Sequence, residues 1–276
     1  MFRRLLIFLL LCCFHSAAIA TKQNTKLKIA TTVSPITNMV QNVGGTNVEV
    51  KGVVPDGMDS HTFEPLPSDA KLLQNVDLII VNGLDLELPT LQLAEKVKKA
   101  HVPILQLGNQ AISQAEWHYD FSFPRELGHP NPHLWLNIEL VMRYVQLIRD
   151  QLVVADPANK ASYASNADIY LSKLNQLDQA IFKCVASIPE KNRKLVTYHD
   201  SFAYFAPRYG MTVIAAIQPH DFSEPGPQEV INIIKQIRSE NVPAIFGSDV
   251  FPSRVMAQIA REAKVKFIDQ LSDDEL

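Results

Sequence analysis

The sequence predicts an α/β protein of two lobes, each a parallel sheet flanked by helices, joined by one long helix. Three observations lead to this prediction. Short apolar runs alternate with helical patterns in both halves of the chain, which is typical of parallel sheets covered by helices. Residues 158–187 interrupt that alternation with one uniform helical pattern. The 256 residues from 21 to 276 are enough to bury one or two apolar cores.

Residues 1–20 are predicted to be a secretory signal peptide. Two arginines are followed by an apolar run from Leu5 to Phe14, and Ala18-Ile19-Ala20 has the small residues of a cleavage site. The run is shorter than the roughly 20 residues that a bilayer crossing requires. Cys12 follows a leucine, whereas a lipid-attachment cysteine follows a small residue, so a lipoprotein is the less favoured interpretation. We expect a periplasmic protein released by cleavage after Ala20.

The mature chain is acidic and has a single cysteine. Its 24 basic and 29 acidic side chains give a formal charge of −5, which argues against a nucleic-acid partner. Cys184 has no partner for an intramolecular disulfide, and its helical spacing predicts a small core residue. No later segment has the length and apolar character of a membrane span. We therefore expect a soluble monomer whose stability comes from burial.

The N-terminal lobe is predicted to cover residues 21–155. Ser34 as a cap and Pro35 in the first turn begin a helix that Gly44-Gly45 ends. Asn137 begins the last helix of the lobe, after a long loop that starts beyond residue 107. The predicted strands are Leu27–Val33, Val48–Val54, Val76–Val81 and Val102–Leu107, and the other helices are Ser68–Gln74 and Thr90–Ala100.

Residues 156–189 are predicted to be a linking segment dominated by one helix. It has no interior glycine or proline, and its apolar positions recur at steps of three and four. Nearly 30 helical residues measure roughly 40 Å. An ordinary surface helix would show the same pattern, but this length favours a rod between two lobes. The recurring positions are Tyr163, Ala167, Tyr170, Leu174, Leu177, Ile181 and Cys184.

The C-terminal lobe is predicted to cover residues 190–276, where the alternation of strand and helix resumes. Gly210 is expected to end the first helix of this lobe. A loop rich in proline and acidic residues, Gln218–Gly226, follows the second strand. Strands are predicted at Lys194–Tyr198, Met211–Ile217, from Pro243 and from Val265, and helices before Arg208, from Pro227 and near Pro252.

Four potential metal ligands follow predicted strands, two in each half. His61 lies after the second strand, His133 in the loop beyond residue 107, His199 directly after "KLVTY", and Asp269 at the end of "KVKFID". Ligand groups of parallel sheets collect beyond the carboxyl ends of the strands. Three imidazoles and one carboxylate form a closed shell that suits a transition metal such as zinc. Taken singly, each residue has a structural alternative, such as a solvated histidine or a turn-forming aspartate.

The remaining histidines are weaker candidates. His118 and His129 share the loop with His133, but Pro130 and Pro132 exclude a helical pairing of His129 with His133. His101 and His220 are expected to be solvated. Asp59 and Asp200, which lie beside candidate ligands, are candidates for carboxylates that orient imidazoles.

Five segments carry a resemblance to a known family: "VVPDGMDSHTFEPLPSD", "NPHLWLN", "VTYHDSFAYFAPRYG", "VPAIFGSDVFPSRV" and "FIDQLSDDEL". With them, the chain resembles the zinc- and manganese-binding solute-binding proteins of ABC transporters. The resemblance implies two lobes bridged by a rigid helix and a cargo of Zn²⁺ or Mn²⁺. It also implies the ligands His61, His133, His199 and Asp269, and an ABC permease in the inner membrane as partner.

Two departures from that family shape the expectations. The loop from Gly108 to Pro132 has only two histidines, whereas zinc-dedicated members often have a histidine-rich loop there, so a zinc-only cargo is less favoured. The family also normally continues past the equivalent of "LSDDEL" into a final helix. The second lobe is therefore expected to lack that helix.

The sequence thus predicts a metal receptor and not an enzyme, with two alternatives open. An exported zinc metallohydrolase would keep one coordination position for water and would use Asp269 as a base. A chelate- or cobalamin-binding protein of the same architecture would have a wider cleft without converging ligands. The number of protein ligands distinguishes these functions.

Overall fold

The computed structural model describes residues 25–248, 250–251 and 254–273. They form two four-stranded sheets, in which every pairing is parallel, and a long helix between them. The predicted fold class is therefore confirmed. The predicted signal peptide and residues 274–276 lie outside the described residues.

The first sheet has the strand order β2-β1-β3-β4. Its strands are β1 (Leu27–Thr31), β2 (Val48–Gly52), β3 (Leu78–Val81) and β4 (Ile104–Gln106). Its helices are α1 (Ser34–Gly44), α2 (Pro67–Gln74), α3 (Leu88–Val97), α4 (Leu107–Ala111) and α5 (Ile138–Ala155). β3 is buried along its whole length, because helices cover both faces of the sheet.

The ends of these helices show which local predictions hold. Asn137 caps α5 as predicted, since its Oδ1 accepts a hydrogen bond from the backbone N–H of Glu139 at 3.0 Å. The predicted cap at Ser34 is wrong: α1 begins there without a side-chain cap. Helix α4 stands where a loop was predicted, and three of its five residues are buried.

The long helix, α6 (Lys160–Ala186), follows a 3₁₀ turn at Pro157–Asn159. It is not a free rod, because its first half packs on the first lobe with Tyr163 and Ala167 buried. Asn166 Nδ2 donates to the carbonyl of Val43 at 3.0 Å. Gly45, with φ +56°, ends α1 beside this contact, and a Cβ there would lie 2.8 Å from Asn166 Nδ2.

The second sheet repeats the order of the first, as β6-β5-β7-β8. Its strands are β5 (Lys194–Thr197), β6 (Thr212–Ala216), β7 (Ala244–Ser248) and β8 (Lys266–Leu271). Its helices are α7 (Phe205–Tyr209), α8 (Pro227–Ser239) and α9 (Arg254–Ala263). In both sheets the order reverses beside the first strand, which is where ligand sites of open α/β sheets form.

The two lobes contact each other through side chains as well as through α6. Leu136, from the first lobe, packs against the buried cluster of Leu195 and Phe202. The indole N–H of Trp135 donates to the backbone carbonyl of Asp273 at 2.7 Å. None of the helices in the described part of the chain combines the length and apolar character that a bilayer crossing requires.

Cys184 is exposed on α6, so the prediction of a core cysteine is wrong. Its neighbour Val185 is buried instead.

Candidate metal site

Three of the four predicted ligands meet in the cleft between the lobes. His61 follows β2, His133 lies just before α5, and His199 follows β5. The Nε2 atom of His133 is 3.1 Å from Nε2 of His61 and 2.9 Å from Nε2 of His199. Among the described residues, these three form the group of potential ligands whose atoms lie within 4.8 Å of one another.

Two side-chain amides determine which imidazole nitrogens carry hydrogen. Asn131 Oδ1 lies 2.7 Å from Nδ1 of His133, and Gln218 Oε1 lies 2.9 Å from Nδ1 of His199. An amide oxygen only accepts, so each Nδ1 must be the donor. In the neutral imidazoles the Nε2 lone pairs of His133 and His199 then point at each other.

Two facing lone pairs repel each other, and a cation bound by both nitrogens would remove that repulsion. Nitrogen ligands about 2.0–2.1 Å from a tetrahedral zinc ion lie about 3.3 Å from one another, slightly farther apart than the Nε2 atoms here. The three nitrogens thus need only a small outward shift to hold an ion. The arrangement can bind a transition metal.

Burial keeps these imidazoles ready to act as ligands. His133 is 0% and His199 1% exposed, whereas His61 is partly exposed. Desolvation by burial, and secondarily repulsion by His199, hold the pKa of His61 and of His133 well below the usual histidine value. Metal ligation requires the neutral imidazole, so a lowered pKa reduces competition from protons at neutral pH.

An aromatic shell surrounds the three imidazoles. Phe222 stacks on His61 with ring centroids 4.5 Å apart, and Phe251 stacks on His199 at 4.6 Å. Phe123 packs edge-on against His133 at 5.7 Å. These rings exclude water from most of the site, and His61 faces a cavity of about 210 Å³ that Phe123 and Phe222 also line.

The predicted fourth ligand, Asp269, is not part of this cluster. It lies on β8 with an exposed side chain, and its Cα packs beside Gly247 of β7. A second carboxylate of the same segment, Asp273, is buried and accepts hydrogen bonds from the hydroxyls of Ser201 at 2.8 Å and Ser248 at 3.0 Å.

The other histidines have separate surroundings. His129 is exposed, and its Nδ1 lies 2.7 Å from Asp85. His118 packs against Tyr204 with ring centroids 4.8 Å apart. His220 lines the cavity beside His61.

The carboxylates proposed to orient imidazoles have other partners. Asp59 accepts a hydrogen bond from the backbone N–H of His61 at 2.8 Å, and so shapes the loop instead of holding the ring. Asp200 accepts from the backbone N–H of Ser122 at 2.8 Å. Asp200 also lies against Asp120, and burial together with the Asp200 charge raises the pKa of Asp120 above its usual value.

The sequence interpretation missed Asn131 and Gln218 as partners of the imidazoles. Both had a detectable signal. Asn131 lies two residues before His133, and Gln218 is a polar residue just beyond the second strand of its lobe. Polar residues just beyond strand ends reach the same edge of the sheet as the histidines do, so their position alone made them candidate partners.

The fold and this cleft define a two-lobed α/β solute-binding protein with a candidate metal site between its lobes. The family of zinc-uptake complex component A, periplasmic (ZnuA), matches residues 29–275. The chain belongs to this family.

Curated relatives and solved structures agree with this assignment. The metal ABC transporter substrate-binding lipoprotein FimA of Streptococcus parasanguinis is 30% identical over 271 residues, covering 98% of this chain and 87% of FimA. The manganese-binding lipoprotein MntA of Halalkalibacterium halodurans is 28% identical, covering 90% and 79%. The zinc-binding protein TroA of Treponema pallidum superposes with a TM-score of 0.83 at 25% identity, covering 91% of this chain and 90% of TroA. A crystal structure of ZnuA gives a TM-score of 0.81 at 27% identity, covering 91% and 92%.

Proposed function

We propose that this protein captures a divalent transition metal, zinc or manganese, between its lobes and delivers it to an ABC permease of the inner membrane. The observation that carries the proposal is the convergence of three Nε2 atoms, contributed by both lobes, at 2.9 and 3.1 Å. The names of relatives support the cargo: TroA is a zinc-binding protein and MntA a manganese-binding one. The protein acts as a monomeric receptor without nucleic-acid partners and catalyses no reaction.

The site of action is outside the cytoplasm. The family description is periplasmic, and FimA and MntA are named lipoproteins. Those names favour a lipid-anchored form over the freely released form that the leader's ending predicts. Either form exposes the cleft to extracytoplasmic metal.

Metal binding is expected to stabilise the purified protein. About one equivalent of Zn²⁺ or Mn²⁺ should bind and raise the temperature of thermal unfolding. At a hundredfold excess over Kd, the linkage adds about 2.7 kcal/mol to the free energy of unfolding. Calorimetric titration and thermal scans measure both quantities, and competition between the two metals gives the preference.

Mg²⁺ is the control for this titration, because it prefers oxygen ligands and waters. Mg²⁺ should leave the unfolding temperature unchanged. An unfolding temperature that also ignores zinc and manganese would contradict the proposed function.

We further propose that Asp269 completes the ligand set, as the family resemblance implies. A carboxylate suits both zinc and manganese, and β8 adjoins β7 at the cleft edge of the second sheet. Because Asp269 lies outside the imidazole cluster, this role requires β8 to move when metal binds. Asp269→Asn should then weaken zinc binding by about tenfold or more in the same titration. If Asp269→Asn leaves the zinc affinity unchanged, the site has only the three imidazoles as protein ligands. A coordination position would then be open for water, as the alternative of a zinc metallohydrolase requires.

A further inference from the structure

The loop 218–226 of the second lobe reaches across the cleft and covers a ligand of the first lobe. Phe222, in this loop, stacks on His61 with an interplanar angle of 18°. His61 is the one partly exposed imidazole of the three, and both rings line the same cavity. Phe222 therefore stands where an ion would pass between that cavity and the three imidazoles.

Phe222 is held in a conformation that a bulky residue adopts rarely. Its φ is +59°, in the left-handed region, a conformation that persists in a bulky residue only where neighbours enforce it. Two contacts do so here. Its backbone N–H donates to the carbonyl of Pro219 at 3.0 Å, and its carbonyl accepts from Nε2 of Gln218 at 3.3 Å.

Gln218 joins this covering ring to His199, the ligand that the second lobe itself contributes. Gln218 is buried, with 4% of the residue exposed. One end, Oε1, accepts from Nδ1 of His199 at 2.9 Å, while the other end donates to Phe222. Its backbone carbonyl accepts from the hydroxyl of Ser122, which comes from the first lobe. The side-chain amide of Gln218 thus contacts one candidate ligand, His199, and also the loop that shields a second candidate ligand, His61.

We propose that Gln218 is a positioning residue that couples the orientation of His199 to closure of Phe222 over His61. This inference rests on the proposed metal-binding function. When an ion pulls on the imidazole of His199, the amide follows the ring and keeps Phe222 in place. The bound metal then leaves slowly until the loop is displaced.

A double-mutant cycle tests the coupling. Gln218→Leu removes both hydrogen bonds, and Phe222→Ala removes the ring but leaves the contact between Gln218 and His199. Release of Zn²⁺ is measured by stopped-flow capture with an excess of chelator. Absorption of bound Co²⁺, which depends on ligand geometry, reports the orientation of His199. The matched control is Trp135→Phe, because Trp135 also packs on a ligand, His133, at 5.1 Å, but from the segment before α5 and not from the loop 218–226.

Each single variant should release Zn²⁺ about tenfold faster than the wild type. The Co²⁺ spectrum should shift with Gln218→Leu and stay unchanged with Phe222→Ala. The Gln218/Phe222 double variant should be no faster than the faster single variant, whereas the effects of Gln218→Leu and Trp135→Phe should multiply.

Multiplying effects in the Gln218/Phe222 cycle, or wild-type release from Gln218→Leu, would overturn the coupling while leaving metal binding intact. If Gln218→Leu does not fold, Gln218→Met, which also removes both hydrogen bonds, takes its place in the cycle. Unchanged release from Phe222→Ala would also overturn the proposal, since it would show that the ring is no barrier. A wild-type protein that binds neither Zn²⁺ nor Co²⁺ overturns the proposed function and this inference together.

Discussion

Replacing His133 with alanine is expected to abolish high-affinity metal binding. Its Nε2 is the atom to which both other imidazoles are closest, and its side chain is completely buried. Losing a partner that only hydrogen-bonds to a ligand costs about 10–100-fold in metal affinity. Losing this ligand itself should therefore cost more than about 100-fold, measured by competition with a chelator of known affinity.

The control is His129→Ala, four residues away in the same loop. His129 is exposed and contacts Asp85 instead of the cluster, so its removal should leave metal affinity within about twofold of the wild type, as for other exposed side chains. Thermal unfolding of both metal-free variants verifies that each is folded. A larger loss from His129→Ala than from His133→Ala would mean that the ion is bound elsewhere in the loop.

Replacing Asp178 with alanine is expected to lower the free energy of unfolding substantially and to leave the metal site unchanged. Asp178 lies on α6 and is 3% exposed. Its carboxylate accepts hydrogen bonds from Nε and Nη2 of Arg208, at 3.0 and 2.7 Å, and from the hydroxyl of Tyr209 at 2.7 Å. Burial raises the pKa of Asp178, but the hydrogen bonds from Arg208 and Tyr209 outweigh it, and the pKa is lowered overall. Removing Asp178 takes the buried partner from Arg208, which keeps its ion pair with Glu139, and takes the acceptor from the Tyr209 hydroxyl. The free energy of unfolding should therefore fall by about 2 kcal/mol.

Urea denaturation of metal-free protein at neutral pH measures this loss. Asp168→Ala is the matched control, because Asp168 is exposed on the same helix, and its loss should stay within about 0.5 kcal/mol. Because the pKa of Asp178 is lowered by folding, its contribution is present above the unfolded value and disappears as the pH falls through the folded value. Equal stability of the two variants would show that the bonds to Arg208 contribute nothing net.

The fold was predictable because its signals are local. Alternating apolar runs, the proline after Ser34 and the glycine at 210 depend on neighbours in the sequence, and the strands and helices formed where these signals occur. Helix α4 was missed because burial of Leu107 and Gly108 by distant residues stabilises it. Cys184 was wrongly predicted to be buried because a small error in the assumed helical period accumulates over the 27 residues of α6. Near the end of the helix the buried position is therefore Val185 and not Cys184.

The candidate site was predictable only in part. Positions beyond strand ends identified His61, His133 and His199, because the topology brings those ends to one cleft. The orienting groups depend on side-chain direction, which a sequence does not show. Carboxylates beside the histidines were expected in that role, yet the amides of Asn131 and Gln218 perform it. An amide acceptor is neutral, so it fixes the ring without adding negative charge to the site.

The position of Trp135 gives the protein a built-in optical probe. Its ring centroid is 5.1 Å from that of His133, and its indole N–H is tied to the carbonyl of Asp273. The chain has one other tryptophan, Trp117, which is less buried and lies beside Tyr119. In a Trp117→Phe background, intrinsic fluorescence is therefore expected to respond to metal binding at the imidazoles and to movement of the segment after β8, without any attached dye.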